Sequence, residues 1–504
     1  MASYTQPPAA RRGVSLALAG FGTLAFVVSL PMGPQAAVGG AVVLLIACLL
    51  ALRDTTVPVF TWPIMSASLI LLIWFVPIKT YSLPVDLPFN LEPYRLFLLA
   101  LMFAWLVGLV AGRSQLAAHG QAYPLILLTG VLFATQIVNF DAVNAGSTEP
   151  EAIKALSYFL SFIIVFMLIT STIDSMAALD KLVRMLVIGA GVVAVTALYD
   201  SRVTYNVFEH LHQWIPVLEF HPREVDQARG GLLRVYGSAQ HPIALSVGLL
   251  LTIPLAVYLS GRASTLIRSR LWIGVAILCA AAGMATVSRT SVVMIIAMVL
   301  MALWLRGKAI ARFWPLLFLL PFVVHFLAPG AMGGIYKAFF PEEGLVSSLE
   351  GRAGQTGSGR FADLGPGFDL WIDSPLVGTG IGEQTLTVPT DLPAGASNDP
   401  IAPELIFDNQ YLNTIVTTGL LGLIAVGWFV WGGVVKLARA ARRRRGPASD
   451  LLVACSIATA GFGASMFLFD AFYFVQCTLF FFMIAAIGFR ARSLSTPAVD
   501  LRAV

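Results

Sequence analysis

Residues 242–260 read PIALSVGLLLTIPLAVYLS, which is 19 residues without one charged side chain. An α-helix rises about 1.5 Å per residue, so a run of this length can cross the roughly 30 Å hydrocarbon core of a bilayer. A surface helix of a soluble domain would carry polar residues along one face, and this run has no such face. The stretch therefore predicts a transmembrane helix.

The composition extends this prediction to the whole chain. Of its 504 residues, 58% are hydrophobic and only 12% are charged, whereas an average soluble protein has about 25% charged residues. The mean hydropathy is +0.82. These values exclude a soluble enzyme, a receptor with a single span and a disordered scaffold.

Apolar segments long enough to cross a membrane recur along the chain and predict about fourteen transmembrane helices. They lie at 14–30, 35–52, 57–78, 94–112, 122–140, 155–173, 182–199, 242–260, 271–287, 291–305, 314–330, 411–435, 451–469 and 471–489. The first has the short basic flank of a signal peptide, but a second span follows at once, so we expect it to be retained. The predicted fold is an all-α integral membrane protein forming one polytopic domain over residues 1–504.

The basic residues predict the orientation, because loops rich in Lys and Arg stay in the cytoplasm. With both termini inside, the cytoplasmic segments carry 21 of the 32 Lys and Arg residues and 5 of the 27 Asp and Glu residues. The formal net charge is then +16 inside and −11 outside. The four arginines at 442–445 fall inside, where we expect them to contact anionic membrane lipids rather than nucleic acid.

Three polar segments fall on the predicted outer face, at 79–93, 200–241 and 331–410. Connections of this length are usually functional or disordered. The longest lies between spans 11 and 12, and we expect amphipathic helices in it to cover a site. It also contains Gly-x-Gly-x-Gly at 378–382. A dinucleotide cradle would need a strand–turn–helix unit in a soluble layer, so this pattern instead favours a tight turn whose glycines let the backbone approach a substrate.

Three arginines stand out on this acidic face. Arg234 precedes the span that begins at Pro242, Arg289 follows Ser288 in a very short turn, and Arg360 lies in the glycine-rich part of the longest loop. A half-buried guanidinium is costly unless it meets an anion. Each arginine alone could pair with an acidic residue, but the three together suit a phosphate or diphosphate, which guanidinium groups bind in bidentate fashion.

The histidines and cysteines predict neither a metal site nor a disulfide. Four of the six histidines fall in or at the end of the second outer segment without a Cys or a placed carboxylate, so we expect solvated loop residues; they are His210, His212, His221 and His241. All four cysteines fall inside predicted spans, where we expect them to pack in the core. No metal and no cofactor is predicted.

Short motifs follow one another in a characteristic order between about 230 and 435. They are Arg234-Val-Tyr-Gly-Ser-Ala-Gln-His241-Pro242, Ser288-Arg289, Ser358-Gly-Arg360, Trp371 ahead of Ser-Pro-Leu-Val-Gly-Thr-Gly-Ile-Gly-Glu383, and Asp408-Asn409-Gln-Tyr411-Leu412 followed by Gly419. Each motif is weak alone. Their order and their placement relative to the spans resemble the O-antigen ligase and polymerase superfamily.

The resemblance implies a glycosyltransferase of the bacterial inner membrane whose active site faces the periplasm. Such enzymes transfer a glycan from a polyprenyl-diphosphate carrier to lipid A core or to another carrier-linked glycan, with inversion and without a metal. The family's catalytic arginines correspond best to Arg234 and Arg289. The resemblance also implies substrate-binding residues at Arg360, His241, Trp371, Glu383, Asn409 and Tyr411.

One position departs from the ligases, which usually carry a histidine where this chain has Asp408. An aspartate can serve as general base toward a sugar hydroxyl, and it can also cap a helix. An unperturbed carboxylate base predicts no histidine-like loss of activity between about pH 7 and 5.5.

An Asp-Asn pair at this place looks more like the exopolysaccharide polymerases of the same superfamily. We therefore favour a polysaccharide polymerase, for which a chain-length regulator would be a partner. An O-antigen ligase acting on lipid A core is the first alternative. A multi-span transporter or flippase is the second, although no repeat between the two halves of the chain supports it.

Overall fold

The computed structural model describes most of the chain from residue 61 onward. The described residues are 40, 43, 61–84, 90–112, 114, 116, 119–141, 149–222, 228–229, 232–311, 314–339, 364–381 and 407–495. The first two predicted spans, 14–30 and 35–52, therefore lie outside the described residues apart from two positions.

The described part is almost entirely helical. Its longer helices are α1 (Trp62–Phe75), α2 (Pro93–Val110), α3 (Ala122–Val138), α4 (Glu149–Thr172), α5 (Met176–Val203), α6 (Pro242–Arg262), α7 (Leu266–Ala285), α8 (Arg289–Ala311), α9 (Trp314–Leu327), α10 (Ala331–Phe339), α11 (Leu364–Asp373), α12 (Gln410–Arg443), α13 (Pro447–Ser465) and α14 (Val475–Leu494). Single helical turns lie at Val207–His210, Leu211–Trp214 and Met466–Leu468.

Two short antiparallel strand pairs complete the described structure. Strand β1 (Tyr81–Ser82) pairs with β2 (Glu219–Phe220), and Tyr81 lies opposite Phe220. Strand β3 (Ala228–Arg229) pairs with β4 (Leu232–Leu233). The first pair joins two of the three segments that the sequence predicts on the outer face.

Within the described residues, nine helices are long and apolar enough to cross a membrane. These are α2, α4, α5, α6, α7, α8, α12, α13 and α14, while α1 and α3 are shorter apolar helices. The 14-residue α9 coincides with the predicted span 314–330. The all-α membrane fold is confirmed, whereas the count of fourteen spans stays a prediction.

Helices α6, α13 and α14 form the centre of the bundle. In each, about four-fifths of the membrane-spanning window is buried by other helices, against about a third in α2 and α7. Large aromatic side chains fill this centre: Phe462 stacks on Phe481 with ring centroids 4.1 Å apart, and Trp74 stacks on Phe480 at 4.1 Å. Aromatic pairs at such distances add to the stabilisation from burial.

The helices alternate in direction, so their ends form two opposite surfaces. At one end, Lys79 Nζ donates to the carbonyl of Tyr473 (3.2 Å). At the other, Arg306 pairs with Asp450 at 2.9 Å. Loops predicted as outer gather at the first surface, which we call the site end, and loops predicted as cytoplasmic gather at the second. The side that faces the cytoplasm stays a prediction.

Helix α12 is broken at its tenth residue, Gly419 (φ 67°, ψ −168°). The turn that follows α11 inserts into the break. The backbone N–H groups of Thr379 and Gly380 donate to the carbonyls of Val416 (2.9 Å) and Thr417 (3.1 Å). Because these bonds replace the helical donors that the break removes from both carbonyls, the interruption is tolerated inside an apolar helix bundle.

Two glycines allow this insertion. A Cβ at Gly378 would lie 2.4 Å from the backbone carbon of Thr417, and a Cβ at Gly419 would lie 2.3 Å from the backbone of Leu376. Both glycines also have positive φ, at 72° and 67°. The tight turn predicted at 378–382 is therefore present as far as the structure describes it, and its Gly378 closely approaches the chain's own helix α12. Approach of this turn to a substrate stays a prediction.

Candidate functional site

The site end is built around residues 469–474, which connect the last two helices and which we call the 469–474 turn. Two glutamines at helix starts hold its backbone. Gln410 Oε1 accepts from the backbone N–H of Phe472 (2.6 Å), and Gln240 Nε2 donates to the carbonyl of Tyr473 (3.0 Å). The turn is thereby tied both to α12 and to the segment that precedes α6.

That preceding segment, residues 234–241, connects the turn to a predicted catalytic arginine. It is buried from Arg234 to Gln240. At its start, Arg234 Nε donates to the carbonyl of Thr286 (3.0 Å), and at its end the ring of His241 stacks on Phe474 with centroids 5.1 Å apart. The segment thus spans from the α7–α8 connection to the 469–474 turn.

His241 also caps α6. Its Nδ1 accepts a hydrogen bond from the backbone N–H of Ile243 (3.1 Å). A nitrogen that accepts carries no proton, so the proton of the neutral ring lies on Nε2. The predicted substrate-binding role of His241 stays a prediction, and its cap role is a structural one that the sequence did not suggest.

Arg289 is the first residue of α8 and is half-buried. The turn before it is strained, because the β-branched Val287 has φ 51°. A left-handed conformation at such a residue costs about 1–3 kcal/mol and is often found at functional sites. The Thr286 carbonyl accepts the hydrogen bond from Arg234. The Thr286 hydroxyl in turn donates to the carbonyl of Gly283 (2.8 Å), which fixes the residue. The structure thus brings Arg234 to the turn that carries Arg289.

Asp408 and Asn409 precede α12, and the structure separates their roles. Asn409 is the N-cap, since its Oδ1 accepts from the backbone N–H groups of Tyr411 (3.0 Å) and Leu412 (3.3 Å). Asp408 is half-buried and is not the capping residue. Its negative charge contributes to raising the pKa of Asp470. The cap that the sequence allowed at Asp408 is therefore provided by Asn409, and the charge of Asp408 acts on a second carboxylate.

That second carboxylate, Asp470, was not singled out from the sequence. It is 8% exposed, and Asn413 Nδ2 donates to its Oδ2 (2.9 Å). Burial raises the pKa of Asp470 to about 7, an effect that the positive charge of Lys79 opposes. The signal in the sequence was one charged residue inside the apolar run FLFDAFYFV at 467–475, at a place where a short turn between two spans was expected.

Lys79 was also missed. It lies in the connection between α1 and α2, and its Nζ lies 3.3 Å from the ring centroid of Tyr473. Burial lowers the pKa of Lys79 to about 7. A lysine at the start of a predicted outer loop is ordinarily solvated, and only the folded structure shows that it is buried against the 469–474 turn.

Two predicted binding residues are engaged within the protein. Tyr411 Oη donates to the carbonyl of Gly463 (2.9 Å) and accepts from Trp431 Nε1 (2.9 Å). Trp371 Nε1 donates to the carbonyl of Pro375 (3.0 Å) at the turn that enters α12. These contacts give both residues a packing role, and their binding role stays a prediction.

The amphipathic helices expected in the longest outer loop are present in its described part. Helix α11 exposes Phe368 and Ile372, while Gly367 on another face lies against Leu412 of α12. Arg360 and Glu383 lie outside the described residues.

The loop histidines are less solvated than the sequence indicated. Three are half-buried, namely His210, His212 and His221, and the Nε2 of His221 lies 2.7 Å from the Ser82 hydroxyl. Three cysteines are free and buried, as expected, at Cys279, Cys455 and Cys477, and Cys48 is outside the described residues. Over the described ranges, no three His, Cys, Asp or Glu side chains gather as metal ligands would.

Comparison with known families supports the motif-based resemblance. A family model described as Wzy_C, O-antigen ligase, matches residues 247–427, just over a third of the chain. The match includes Arg289, Asp408 and Asn409. It confirms the resemblance to the O-antigen ligase and polymerase superfamily, whose members are membrane enzymes. No curated protein matches the chain significantly.

Proposed function

We propose that this chain, which carries the O-antigen ligase match at residues 247–427, polymerises glycan repeat units that are linked to a polyprenyl diphosphate, at the outer face of the bacterial inner membrane. The observation that carries the proposal is the grouping of cationic and carboxylate side chains at the site end. Arg234 contacts the connection before Arg289. The 234–241 segment that begins with Arg234 contacts the 469–474 turn through His241. That turn also contacts Gln410 at the start of α12, two residues after Asp408.

The arginines suit the leaving group. When a glycosyl–diphosphate bond breaks, negative charge develops on the diphosphate, and fixed guanidinium groups stabilise that charge. The hydrogen bond from Arg234 Nε to Thr286 fixes the plane of the Arg234 guanidinium. Arg289 stands at the N-terminus of α8, where the partial positive charge of the helix end adds to its own.

Asp408 suits the acceptor. In a single displacement, the acceptor hydroxyl oxygen forms a bond to the anomeric carbon while the bond to the diphosphate oxygen breaks. The electron pair leaves with the diphosphate, and the hydroxyl proton passes to the Asp408 carboxylate. Attack opposite to the leaving group inverts the anomeric configuration. This scheme requires an ionised carboxylate on one side of the sugar and guanidinium groups on the other.

A second candidate, the O-antigen ligase, is favoured by the description of the matched family model. The two enzymes share the donor and differ in the acceptor, which is another lipid-linked glycan for the polymerase and lipid A core for the ligase. The presence of Asp408, where ligases usually have histidine, favours the polymerase.

Purified protein in liposomes with a lipid-diphosphate-linked repeat unit separates these candidates. We expect a ladder of longer lipid-linked glycans from the donor alone, and no ladder with an Asp408→Asn variant as control. Transfer only after lipid A core is added would identify the ligase. Movement of unaltered donor across the bilayer would indicate a transporter, and donor that is neither consumed nor moved would refute the proposed function.

A further inference from the structure

Lys79 belongs to the N-terminal third of the chain, well before the family match at 247–427, yet it reaches the site end. It has φ 63°, a left-handed conformation that costs a residue with a side chain about 1–2 kcal/mol. Its backbone N–H donates to Glu92 Oε1 (2.7 Å). That bond fixes the backbone in the strained conformation from which the side chain reaches the 469–474 turn.

The Lys79 ammonium lies in an aromatic and carbonyl environment. Its Nζ lies 3.2 Å from the Tyr473 carbonyl oxygen, 3.3 Å from the Tyr473 ring centroid and 5.5 Å from the Tyr158 ring centroid. Both aromatic faces attract a cation, and they do so more strongly where water is excluded. The geometry therefore selects a positively charged or hydrogen-bonding group at this position.

Two acidic residues attract Lys79, and one of them is already engaged. Glu92 accepts from Arg95 Nε (2.7 Å) as well as from the Lys79 backbone. The other is Asp470, which lies in the same turn as Tyr473. The positive charge of Lys79 lowers the pKa of Asp470 and so opposes the effect of burial. Lys154 and Arg95 repel Lys79. The contacts of the Lys79 side chain are with Tyr473, three residues after Asp470 in the same turn.

The full set of charged and titratable neighbours defines the electrostatics of this pair. Around Lys79 they are Glu92, Arg95, Lys154, Tyr158, Asp470 and Tyr473. Around Asp470 they are Lys79 and Asp408, with His241 stacked on the same turn through Phe474. Hydrogen bonds from the Tyr473 backbone and from Asn413 also favour the ionised carboxylate. Among these, Lys79 is the cation that favours an ionised Asp470, and Asp408 is the anion that opposes it.

We propose that Lys79 is a positioning residue of the glycosyl-transfer site: its contacts with Tyr473 fix the 469–474 turn, and its charge favours the ionised form of Asp470 in that turn. The inference rests on the proposed function, because it assigns Lys79 to that reaction. Its physical basis is the repulsion between two neighbouring carboxylates, which a buried opposite charge can offset. The N-terminal third of the chain thereby contributes a required charge to the site.

The pH dependence of glycan transfer tests the proposal. In Lys79→Met, the midpoint of the acid limb should move to higher pH by about one unit, since an opposite charge nearby typically shifts a carboxyl pKa by 1–3 units. Lys79→Arg keeps the positive charge, so its midpoint should not rise above that of wild type. The matched control is Lys337→Met, which removes an exposed lysine of α10 that acts on neither Lys79 nor Asp470 and should not move the midpoint.

A purely structural anchor gives a different result. Lys79→Met would then lower transfer by the same factor at every pH, with an unshifted midpoint, and this would overturn the proposal. In the Asp470→Asn background, Lys79→Met should shift no midpoint, because the group whose charge it supports is gone. A shift that persists there would also contradict the inference.

A second measurement needs no substrate, so it separates this inference from the proposed function. The pKa of a buried aspartate such as Asp470 is higher in the folded protein, here about 7, than in the unfolded chain, about 3.9. Its contribution to the unfolding free energy is therefore complete below about pH 3.9 and is lost as the pH rises to about 7. The melting-temperature difference between wild type and Asp470→Asn should therefore level off near pH 7. The melting-temperature difference between Lys79→Met and the double variant Lys79→Met/Asp470→Asn should continue to change above pH 7, because loss of the Lys79 charge raises the pKa of Asp470. Coincident curves would refute the charge pairing even if transfer is observed.

Discussion

The interlock between the 374–380 turn and the break in α12 makes a sharp prediction for Gly419→Ala. A Cβ at this position would lie 2.3 Å from the carbonyl carbon and oxygen of Leu376 and 2.5 Å from the nitrogen of Val377. All three are backbone atoms, so no rotamer change can relieve the clash. The conformation, φ 67° and ψ −168°, is also one that essentially only glycine adopts.

The expected cost of Gly419→Ala has two parts. The backbone conformation costs about 1–3 kcal/mol for a residue with a side chain, and forcing an extra methyl into a packed site costs typically about 1–3 kcal/mol. We therefore expect a loss of about 2–6 kcal/mol in unfolding free energy. The break also lies ten residues after Asn409 on the same helix, so displacement of the turn should reduce glycan transfer as well.

Helix α12 offers a matched control in Gly427→Ala. No atom lies within 4 Å of a Cβ at Gly427, and its φ is not positive. Alanine in a helix interior is favoured over glycine by about 0.5–1 kcal/mol, so this variant should be as stable as wild type or slightly more stable. Thermal unfolding of detergent-solubilised protein measures both variants. If Gly419→Ala unfolds at the same temperature as Gly427→Ala, the steric reasoning is wrong.

Four further predictions concern the site. Asp408→Asn should abolish glycan transfer without lowering the amount of folded membrane protein, and near-normal product would remove Asp408 as the base. Asn409→Ala, which loses the helix cap and a predicted binding group, should cost about 1 kcal/mol in stability and lower transfer by the folded protein; unchanged transfer would leave Asn409 the cap role alone. Arg289→Lys keeps the charge but loses the bidentate fork, so most activity should be lost; full activity would favour a simple ion pair. Wild-type transfer, followed from pH 8.5 to 5.5, should fall as the pH drops through about 7 because Asp470 gains a proton, and the fall should persist in His241→Asn, since asparagine also caps helices.

The pH prediction shows where reasoning from sequence was incomplete. An unperturbed carboxylate at Asp408 predicted no loss of activity between about pH 7 and 5.5. The fold adds Asp470, whose pKa is raised to about 7 by burial. Burial is a property of the assembled turn, and the local sequence contains only the weak signal of one aspartate in an apolar run.

The membrane fold and two of the site's arginines were accessible from sequence because they depend on local patterns. Apolar length predicts spans, and Arg234 and Arg289 stand next to helix starts. Lys79 was not accessible, because Tyr473, which it contacts, is far away along the chain and no local pattern links the two. At the start of α12, Asp408 and Asn409 both cap helices well, so only the geometry could assign the cap to Asn409.

The break in α12 illustrates a different limit. Gly419 and the glycines at 378–382 were visible as a motif, and the sequence favoured a close approach to a substrate. A glycine pattern indicates that the backbone closely approaches another group, but it does not identify whether that group is a substrate or another segment of the chain. At Gly378 that group is the backbone of α12 itself.

Separate parts of the chain contact the 469–474 turn, so the residues of the family match do not form a self-contained unit. The family match ends at residue 427, but the turn lies beyond it, and Lys79, Arg234 and His241 lie before it. A fragment cut at the boundaries of the match would therefore keep Asp408 and Arg289 and lose the framework that orients them. For the same reason, transferring the site end to a relative would require moving three separated stretches together, around Lys79, at 234–241 and at 469–474, since the first two contact the third.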